Sequence, residues 1–205
     1  MDIVIENLSK KFQFEWVFKN INFHLDNKSC YGVIGSNGSG KSTLLQVIAG
    51  ILSPTKGSVK YQSGSQSVSV EEIYKYISLA TPYLELIEEF SLNEIIDFHF
   101  QFKKIRPGID KKQLMEILTL EKAKNKAIKY FSSGMKQRVK LGLAFYSDTP
   151  VLLLDEPTTN LDKQGIDWYL NEIKHNINHR LIVICSNQTY EYDFTQKLIN
   201  ISDYK

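Results

Sequence analysis

The sequence predicts an α/β fold with a mostly parallel sheet, an antiparallel β subdomain and an inserted helical subdomain, all within a single domain (1–205). Three observations support this. A glycine-rich loop, Gly35–Ser42, joins a short apolar run to an amphipathic segment. The apolar runs Val151–Leu154 and Leu181–Cys185 are typical of strands buried on both faces of a parallel sheet. Residues 82–147 carry mainly helical spacing, so we expect the helical subdomain there.

The first part of the chain alternates between strand-like and polar stretches. Ile3–Glu6 and Phe18–Leu25 predict two strands, because apolar residues recur at strand spacing. Asn7–Phe12 lies between them and predicts a polar turn closed by an aromatic side chain. Tyr31–Ile34 predicts a buried strand, and Ser42–Ala49 predicts the helix that follows the glycine-rich loop.

The remaining elements follow from the same spacing rules. Residues 62–70 are rich in Ser, Gln, Gly and Val, which predicts a loop with a short polar strand. Leu181–Cys185 is expected to be the last core strand. The other predicted strands are Ser58–Tyr61, Tyr76–Leu79 and Val151–Leu154, and the other predicted helices are Leu92–Phe102, Lys111–Leu118, one that starts near Ser132, and Gln164–Ile177.

The glycine-rich loop is a complete G-x-x-x-x-G-K-[ST] phosphate-binding motif in its required strand–loop–helix context. Glycines let the backbone N–H groups approach an anion, and the helix N-terminus adds partial positive charge. Lys41 is expected to reach the β- and γ-phosphates and Ser42 to bind Mg²⁺. The alternative is a glycine- and serine-rich turn that contains a lysine by chance. The match at all four fixed positions of the motif argues against it. The predicted phosphate-binding residues are Gly35, Ser36, Asn37, Gly38, Ser39, Gly40, Lys41, Ser42 and Thr43.

Two carboxylates follow the apolar run Val151–Leu154. A buried parallel strand presents residues at its C-terminal end, where ligands bind in open α/β sheets. Asp155 is therefore expected to hold Mg²⁺, and Glu156 to accept a proton from an attacking water. Such a pair is unremarkable alone, but with the phosphate-binding loop it indicates nucleotide hydrolysis.

The helix predicted near Ser132 begins with small polar residues: Ser132, Ser133 and Gly134. An N-cap satisfies the unpaired N–H groups of a helix, and the same groups can bind an anion. Taken alone, this stretch favours capping over anion binding.

Composition narrows the class of protein. The charges nearly balance at a net +2, so no electrostatic footprint for nucleic acid is expected. The longest apolar run is far shorter than the roughly 20 residues of a membrane span, and no signal peptide pattern precedes the first strand-like segment. We therefore expect a cytoplasmic protein. Cys30 and Cys185 lack metal-like spacing and are expected to be reduced core residues, with a disulfide disfavoured.

Together, these motifs resemble the nucleotide-binding domain of ATP-binding cassette (ABC) transporters along essentially the whole chain. Gly35–Ser42 matches Walker A, Val151–Glu156 matches Walker B with its glutamate, and Asn160–Asp162 resembles the D-loop. Phe131–Met135 resembles a variant of the L-S-G-G-Q signature, which separates this family from other P-loop NTPases. Phe12 falls where the family has an adenine-stacking aromatic; without the resemblance it would be interpreted as an ordinary hydrophobic anchor.

The resemblance implies a P-loop NTPase fold, ATP and Mg²⁺ as ligands, and a head-to-tail dimer. The partner is a second ABC ATPase subunit, expected to be identical although a heterodimer is possible. Ser132, with Ser133 and Gly134, would then bind the γ-phosphate held by the opposite subunit. The dimer would drive a separate transmembrane permease subunit and lie on the cytoplasmic face of the membrane through it. Tyr83–Ile87 falls in the region that contacts the permease in the family, and simple packing is the equal alternative.

Three departures from the family pattern affect the expected site. Ser133 replaces the first signature glycine. Thr81 stands near the place of the Q-loop glutamine and is assigned, with Ser42 and Asp155, to the metal set. Asn187 stands in place of the switch histidine and is assigned, with Glu156 and Lys41, to the catalytic set.

Other classes fit less well. A P-loop kinase does not need the signature helix, and a DNA-repair or chromosome-condensation ATPase needs a coiled-coil insertion longer than the stretch between Lys41 and Ser132. A translation-factor ATPase would carry two cassettes. The remaining alternative is a regulatory ABC protein that closes on ATP with little hydrolysis; Thr81 and Asn187 favour it, and Glu156 argues against it.

Overall fold

The computed structural model describes residues 1–205 and contains two β-sheets and five α-helices. A five-stranded sheet has the order β6-β7-β8-β3-β9 and is parallel throughout. A four-stranded antiparallel sheet has the order β2-β1-β4-β5. The strands are β1 Asp2–Phe12, β2 Glu15–Leu25, β3 Cys30–Ile34, β4 Lys56–Ser63, β5 Gln66–Val68, β6 Ile77–Ala80, β7 Val151–Asp155, β8 Leu181–Cys185 and β9 Lys197–Asn200. The helices are α1 Lys41–Ile48, α2 Leu92–Phe102, α3 Lys111–Ile117, α4 Ser133–Tyr146 and α5 Lys163–Lys174.

The parallel sheet is buried on both faces, as the apolar runs predict. Successive side chains of a strand point to opposite faces, so Val151 and Leu153 of β7 pack in one cluster with α1 and the antiparallel sheet. Leu152 and Leu154 pack on the other face, against Phe145 of α4 and residues of α5. The predicted α/β class is confirmed. The loops that form the candidate site lie at one edge of this parallel sheet.

The stretch Asn7–Phe12 is not a turn, contrary to the expectation from its polar residues. β1 continues to Phe12 and pairs with β2, with register shifts between Ile5 and Lys11. Asn7 has a φ of 48°, which asparagine tolerates better than most residues. These bulges absorb the polar residues without ending the strand, because a bulge bends a strand while pairing resumes beyond it.

A third apolar cluster lies within the helical region. α2 and α3 each begin with a capping box, formed by Ser91 with Glu94 and by Asp110 with Gln113. Their apolar faces pack with one face of α4 in a cluster that includes Leu92, Ile95, Ile96, Leu114, Leu118, Ile128, Phe131, Val139 and Leu143. α4 thus packs on both this cluster and the parallel sheet; the boundary predicted at 82–147 for a helical subdomain stays a prediction.

β8 is not the last strand, because β9 pairs in parallel with β3 at the sheet edge. Two of its four residues, Lys197 and Leu198, are exposed, so its sequence lacks the apolar run of a central strand. Cys30 and Cys185 are buried free cysteines, as expected. None of the helices is both long and apolar enough to span a membrane.

Candidate functional site

A cleft of about 630 Å³ opens at the carboxyl edge of the parallel sheet, where β3 and β7 end. This is the edge at which open α/β sheets bind ligands. Most of the residues predicted from the two motifs meet there, although they are far apart in sequence. The lining residues are Phe12, Val17, Asn37, Gly38, Ser39, Gly40, Lys41, Ser42, Thr43, Pro82, Tyr83, Asp155, Glu156 and Thr159.

The loop after β3 needs glycine at two positions for steric reasons. Gly35 has a φ of 152°, and a Cβ there would lie 2.6 Å from Ser39 Oγ. Gly40 has a φ of 106°, and a Cβ there would lie 2.4 Å from Val17 Cγ1. Because the loop is packed this tightly between β2 and α1, its backbone lines the cleft directly, and α1 begins at the next residue, Lys41. The N-terminus of a helix is a ready anion-binding site when it faces such a loop.

The ammonium group of Lys41 is held inside this loop. Its side chain is only 5% exposed, and Nζ donates to the carbonyl oxygens of Gly35 at 2.9 Å and Ser36 at 3.2 Å. Nζ also lies 3.7 Å from Glu156 Oε1. One fixed positive charge therefore faces the predicted general base across the cleft. Charge-assisted contacts of this kind are the strong ones toward a phosphate oxygen.

Asp155 has the environment expected of a metal ligand. Burial raises the pKa of its carboxyl group, while a hydrogen bond from Ser42 and the charge of Lys41 lower it. Its Oδ1 atom is buried without any hydrogen-bond partner. A buried carboxylate oxygen without a partner is costly unless a cation binds it, so Asp155 and Ser42 form an oxygen pair that fits Mg²⁺.

Glu156 occupies an uncommon backbone conformation. Its φ is 45°, in the left-handed region that costs a non-glycine residue about 1–3 kcal/mol. The surrounding structure holds this conformation, because its N–H donates to Cys185 O at 2.8 Å and its carbonyl accepts from Thr159 N–H at 3.1 Å. The turn directs a partly exposed carboxylate into the cleft beside Lys41.

Asn187 contacts the phosphate-binding loop from the neighbouring strand. It follows β8, and its Nδ2 donates to Asn37 Oδ1 at 2.8 Å. The amide is exposed and lies at the rim of the same sheet edge. The structure therefore brings the residue at the switch position to the loop, although it does not line the cleft.

Phe12 lies at the cleft with 49% of its surface exposed, which leaves a ring available for stacking on a planar base. Lys10 Nζ lies 5.1 Å from the centroid of this ring. Sequence reasoning missed Val17 and Thr159, which have no motif of their own. It also placed Tyr83 with the permease contact, whereas the 77%-exposed ring of Tyr83 lines this cleft.

Thr81 does not line the cleft. It is buried after β6, and its Oγ1 accepts from Leu84 N–H at 3.1 Å, which closes a turn. Its carbonyl oxygen accepts from the buried Lys140 Nζ at 3.1 Å. Its assignment to the metal set remains a prediction, without support from the position of its hydroxyl group.

Ser132, Ser133 and Gly134 line a second cleft, of about 520 Å³, and are not brought to the first one within the chain. The predicted cap is confirmed, because Ser132 Oγ accepts from Met135 N–H at 3.2 Å. A Cβ on Gly134 would lie 3.0 Å from Asn160 O, so this turn packs closely on the loop that follows β7. Both serines stand at the start of α4 beside that loop.

Proteins similar to this chain include ATP-binding proteins named for transport. A probable sulfate/thiosulfate import ATP-binding protein, CysA of Chlorella vulgaris, is 30% identical over 212 residues, covering 100% of this chain and 89% of that protein. The bacitracin transport ATP-binding protein BcrA of Enterococcus faecalis is 29% identical, covering 98% of this chain and 67% of its own length. The dimeric structure of MJ0796, a bacterial ABC transporter cassette, has the same fold, with a TM-score of 0.80, 22% identity and coverage of 97% and 94%.

The family comparison covers most of the chain. Residues 18–159 match the family described as ABC transporter. That span includes the phosphate-binding loop, the capped start of α4 and the carboxylates at the end of β7. This chain belongs to the ABC transporter family, as a nucleotide-binding domain of that family.

Proposed function

We propose that this chain binds Mg²⁺-ATP and hydrolyses it as the ATPase subunit of an ABC transporter. One observation carries the proposal: Lys41, Asp155 and Glu156 converge on a single cleft, with Lys41 Nζ 3.7 Å from Glu156 Oε1. A cation, a metal-binding carboxylate and a candidate base are the groups that phosphoryl transfer to water requires.

Each group has one role in the proposed reaction. The backbone of the loop and Lys41 bind the β- and γ-phosphates, and Phe12 stacks on the base. Ser42 and Asp155 would hold Mg²⁺, which would supply positive charge to the phosphate oxygens. Glu156 accepts the proton of the attacking water. Asn187 donates an N–H to the γ-phosphate, which an amide can do without carrying charge.

The separation of the two clefts supports a head-to-tail dimer. Ser132, Ser133 and Gly134 face a cleft that shares no residue with the nucleotide cleft. Two chains in opposite orientation would place the capped helix start of one against the nucleotide of the other. The site would then lose most of its water only when the dimer closes, which strengthens its electrostatic interactions.

An apolar groove supports a contact with a permease. The groove has a volume of about 330 Å³ and lies between the segment after β6 and helices α2 and α4. Leu84 and Phe102 line it and are 43% and 60% exposed, so the groove presents apolar side chains to a partner. We assign this groove, rather than Tyr83, to a separate transmembrane permease, which would hold the chain at the cytoplasmic face of the membrane.

Copurification tests this assignment. Leu84→Glu and Phe102→Glu should abolish capture of the permease while the rate of ATP hydrolysis is kept. Ile51→Glu, at another exposed apolar residue, is the matched control and should retain the permease. Equal loss of hydrolysis and capture in the groove variants would indicate that the groove residues serve packing alone.

The site favours hydrolysis over the regulatory alternative because Glu156 points into the cleft and is held there by the turn after β7. Steady-state phosphate release by the purified chain separates the two. Release that requires Mg²⁺ and disappears in Glu156→Gln supports the ATPase. ATP-dependent closure without release above the Glu156→Gln level would support the regulatory protein instead.

A further inference from the structure

Glu191 is a buried carboxylate that the proposed mechanism does not use. It lies in the 3₁₀ turn Thr189–Glu191, is 1% exposed, and is absent from the lining of the nucleotide cleft. Its Oε1 accepts from Thr158 N–H at 2.7 Å and also from the Thr158 hydroxyl group. A glutamate side chain is rarely fully buried unless its carboxylate is paired, so the burial of Glu191 and its bonds to Thr158 need a structural explanation.

Thr158 belongs to the turn that sets the conformation of Glu156. It follows Glu156 by two residues, is itself 6% exposed, and its carbonyl oxygen accepts from Leu161 N–H at 3.0 Å. At the start of the turn, Glu156 N–H donates to Cys185 O. Two residues later, Thr158 N–H donates to Glu191. Glu191 thereby helps to fix the left-handed conformation of Glu156.

The backbone of Glu191 belongs to the segment that carries Asn187. Gln188 N–H donates to Ser186 Oγ at 2.8 Å, and Glu191 N–H donates to Gln188 O at 3.0 Å, so this segment is a compact turn. Tyr169 of α5 donates from its hydroxyl group to Glu191 O at 3.2 Å, which anchors the segment on the helix. The side chain of Glu191 is thus a direct tie between the Asn187 segment and the Glu156 turn.

We propose that Glu191 is a positioning residue for hydrolysis, which sets Glu156 relative to Asn187 through its hydrogen bonds to Thr158. The inference rests on the proposed ATPase function. Glu191 acts through Thr158 and does not line the nucleotide cleft. A carboxylate in this place holds the turn by accepting two hydrogen bonds from one residue, which a shorter or apolar side chain cannot do.

Burial raises the pKa of Glu191, and hydrogen bonding with Ser186 and with Thr158 offsets part of that rise. Its Oε2 atom has no hydrogen-bond partner, so the contact with the turn depends on Oε1 alone. Glutamine keeps that acceptor oxygen at nearly the same place and carries no charge. Glu191→Gln is therefore the conservative variant, and Glu191→Ala removes the tie.

The test is the kcat and KM for ATP of Glu191→Ala, Glu191→Gln and Thr158→Val, with nucleotide affinity and thermal midpoint measured alongside. We expect Glu191→Ala to lower kcat about 10- to 100-fold, as misplacement of a catalytic group by about 1 Å does, with KM little changed. Glu191→Gln should restore most of kcat. Thr158→Val, which keeps its N–H bond but loses the hydroxyl, should lower kcat less, and the Glu191→Ala/Thr158→Val double variant should be no slower than Glu191→Ala.

Two results would overturn the inference. One is an unchanged kcat in Glu191→Ala; the other is a joint fall of kcat, nucleotide affinity and thermal midpoint that glutamine does not rescue, which marks a purely structural residue. If Glu191→Ala does not fold, a kcat of Thr158→Val equal to that of the unsubstituted chain overturns it as well. Absence of Glu156-dependent phosphate release from the unsubstituted chain would instead contradict the proposed function.

Discussion

The side-chain amide of Asn187 donates a hydrogen bond to the side-chain oxygen of Asn37 across 2.8 Å, which joins the segment after β8 to the middle of the phosphate-binding loop. The two residues are 150 positions apart in sequence. Asn187 thus stands beside the phosphate-binding loop, and the proposed function has its N–H donate to the γ-phosphate.

We expect slow hydrolysis by the unsubstituted chain, and a higher kcat with little change in KM for Asn187→His. An imidazolium can bring charge to the transition state, which an amide cannot. If that charge matters, its absence should resemble the loss of one transition-state donor, about 10²–10³ in rate. Steady-state kinetics at saturating ATP measures this difference.

Gln62→His, at an exposed residue of β4 outside the cleft, is the control for that variant, because it adds an imidazole without changing the site. Its kcat should stay near that of the unsubstituted chain. A lower kcat for Asn187→His would instead show that Thr81, Ser133 and Asn187 form a differently arranged site, in which a histidine does not fit.

Lys41→Ala should weaken ATP binding about 10- to 150-fold without unfolding the chain. The variant loses a charge-assisted contact with phosphate worth about 1.5–3 kcal/mol. It also leaves the loop carbonyls of Gly35 and Ser36 without their ammonium donor. Equilibrium binding of a fluorescent ATP analogue measures the loss, and circular dichroism checks the fold. Lys60→Ala, at an exposed pair with Glu6, is the matched control; unchanged affinity in Lys41→Ala would refute the phosphate-site assignment.

Glu156→Gln should bind Mg²⁺-ATP but stop hydrolysis, since an amide does not accept the proton of the attacking water. The stalled state should accumulate as an ATP-dependent dimer, which light scattering detects. Adding Ser132→Arg should dissociate that dimer, because a long side chain would occupy the place of the opposite γ-phosphate. Ser65→Arg, in the exposed β4–β5 turn, should leave it intact. A stalled variant that stays monomeric at saturating ATP would contradict a homodimer with a shared site.

Sequence patterns predict the central strands of the parallel sheet and the centre of the site, but not the edge strand β9. Parallel strands end at one edge, so a phosphate-binding loop after β3 and two carboxylates at the end of β7 are expected to lie together. The proximity of Lys41 and Glu156 follows from that rule alone. The cap at Ser132 was likewise predictable, because capping depends on residues within one turn.

Local patterns could not predict contacts made between distant or irregular segments. Asn7–Phe12 looks like a turn because its residues are polar, whereas the bulged pairing with β2 keeps it extended. The orientation of Tyr83 depends on how the segment after β6 packs, which spacing does not encode. Glu191 stands in a polar stretch and looks solvated in sequence; only the packing of α5 and the turn after β7 bury it.

His99 on α2 provides a test of the helical region that is independent of nucleotide. Its Nε2 atom lies 2.9 Å from Ser147 Oγ at the end of α4, and its side chain lines the apolar groove. Burial lowers the pKa of His99 to about 4, and the positive charge of Lys103 adds to this effect. The folded protein therefore keeps the imidazole neutral at pH values where an unfolded chain would bind a proton.

The free energy of unfolding should fall as the pH drops from about 6.5 to about 4, because the unfolded state binds a proton that the folded state excludes. His99 alone would contribute a slope of at most about 1.4 kcal/mol per pH unit in this window. His99→Gln keeps a partner for Ser147 and cannot be protonated, so its stability should fall less steeply over the same range. Urea unfolding of both proteins at several pH values between 6.5 and 4.5 gives the slope of the free energy of unfolding against pH for each. The difference between the two slopes excludes the contribution of the carboxylates that both proteins share. Parallel slopes for the two proteins would show that His99 titrates alike in both states and that the groove admits water around its ring.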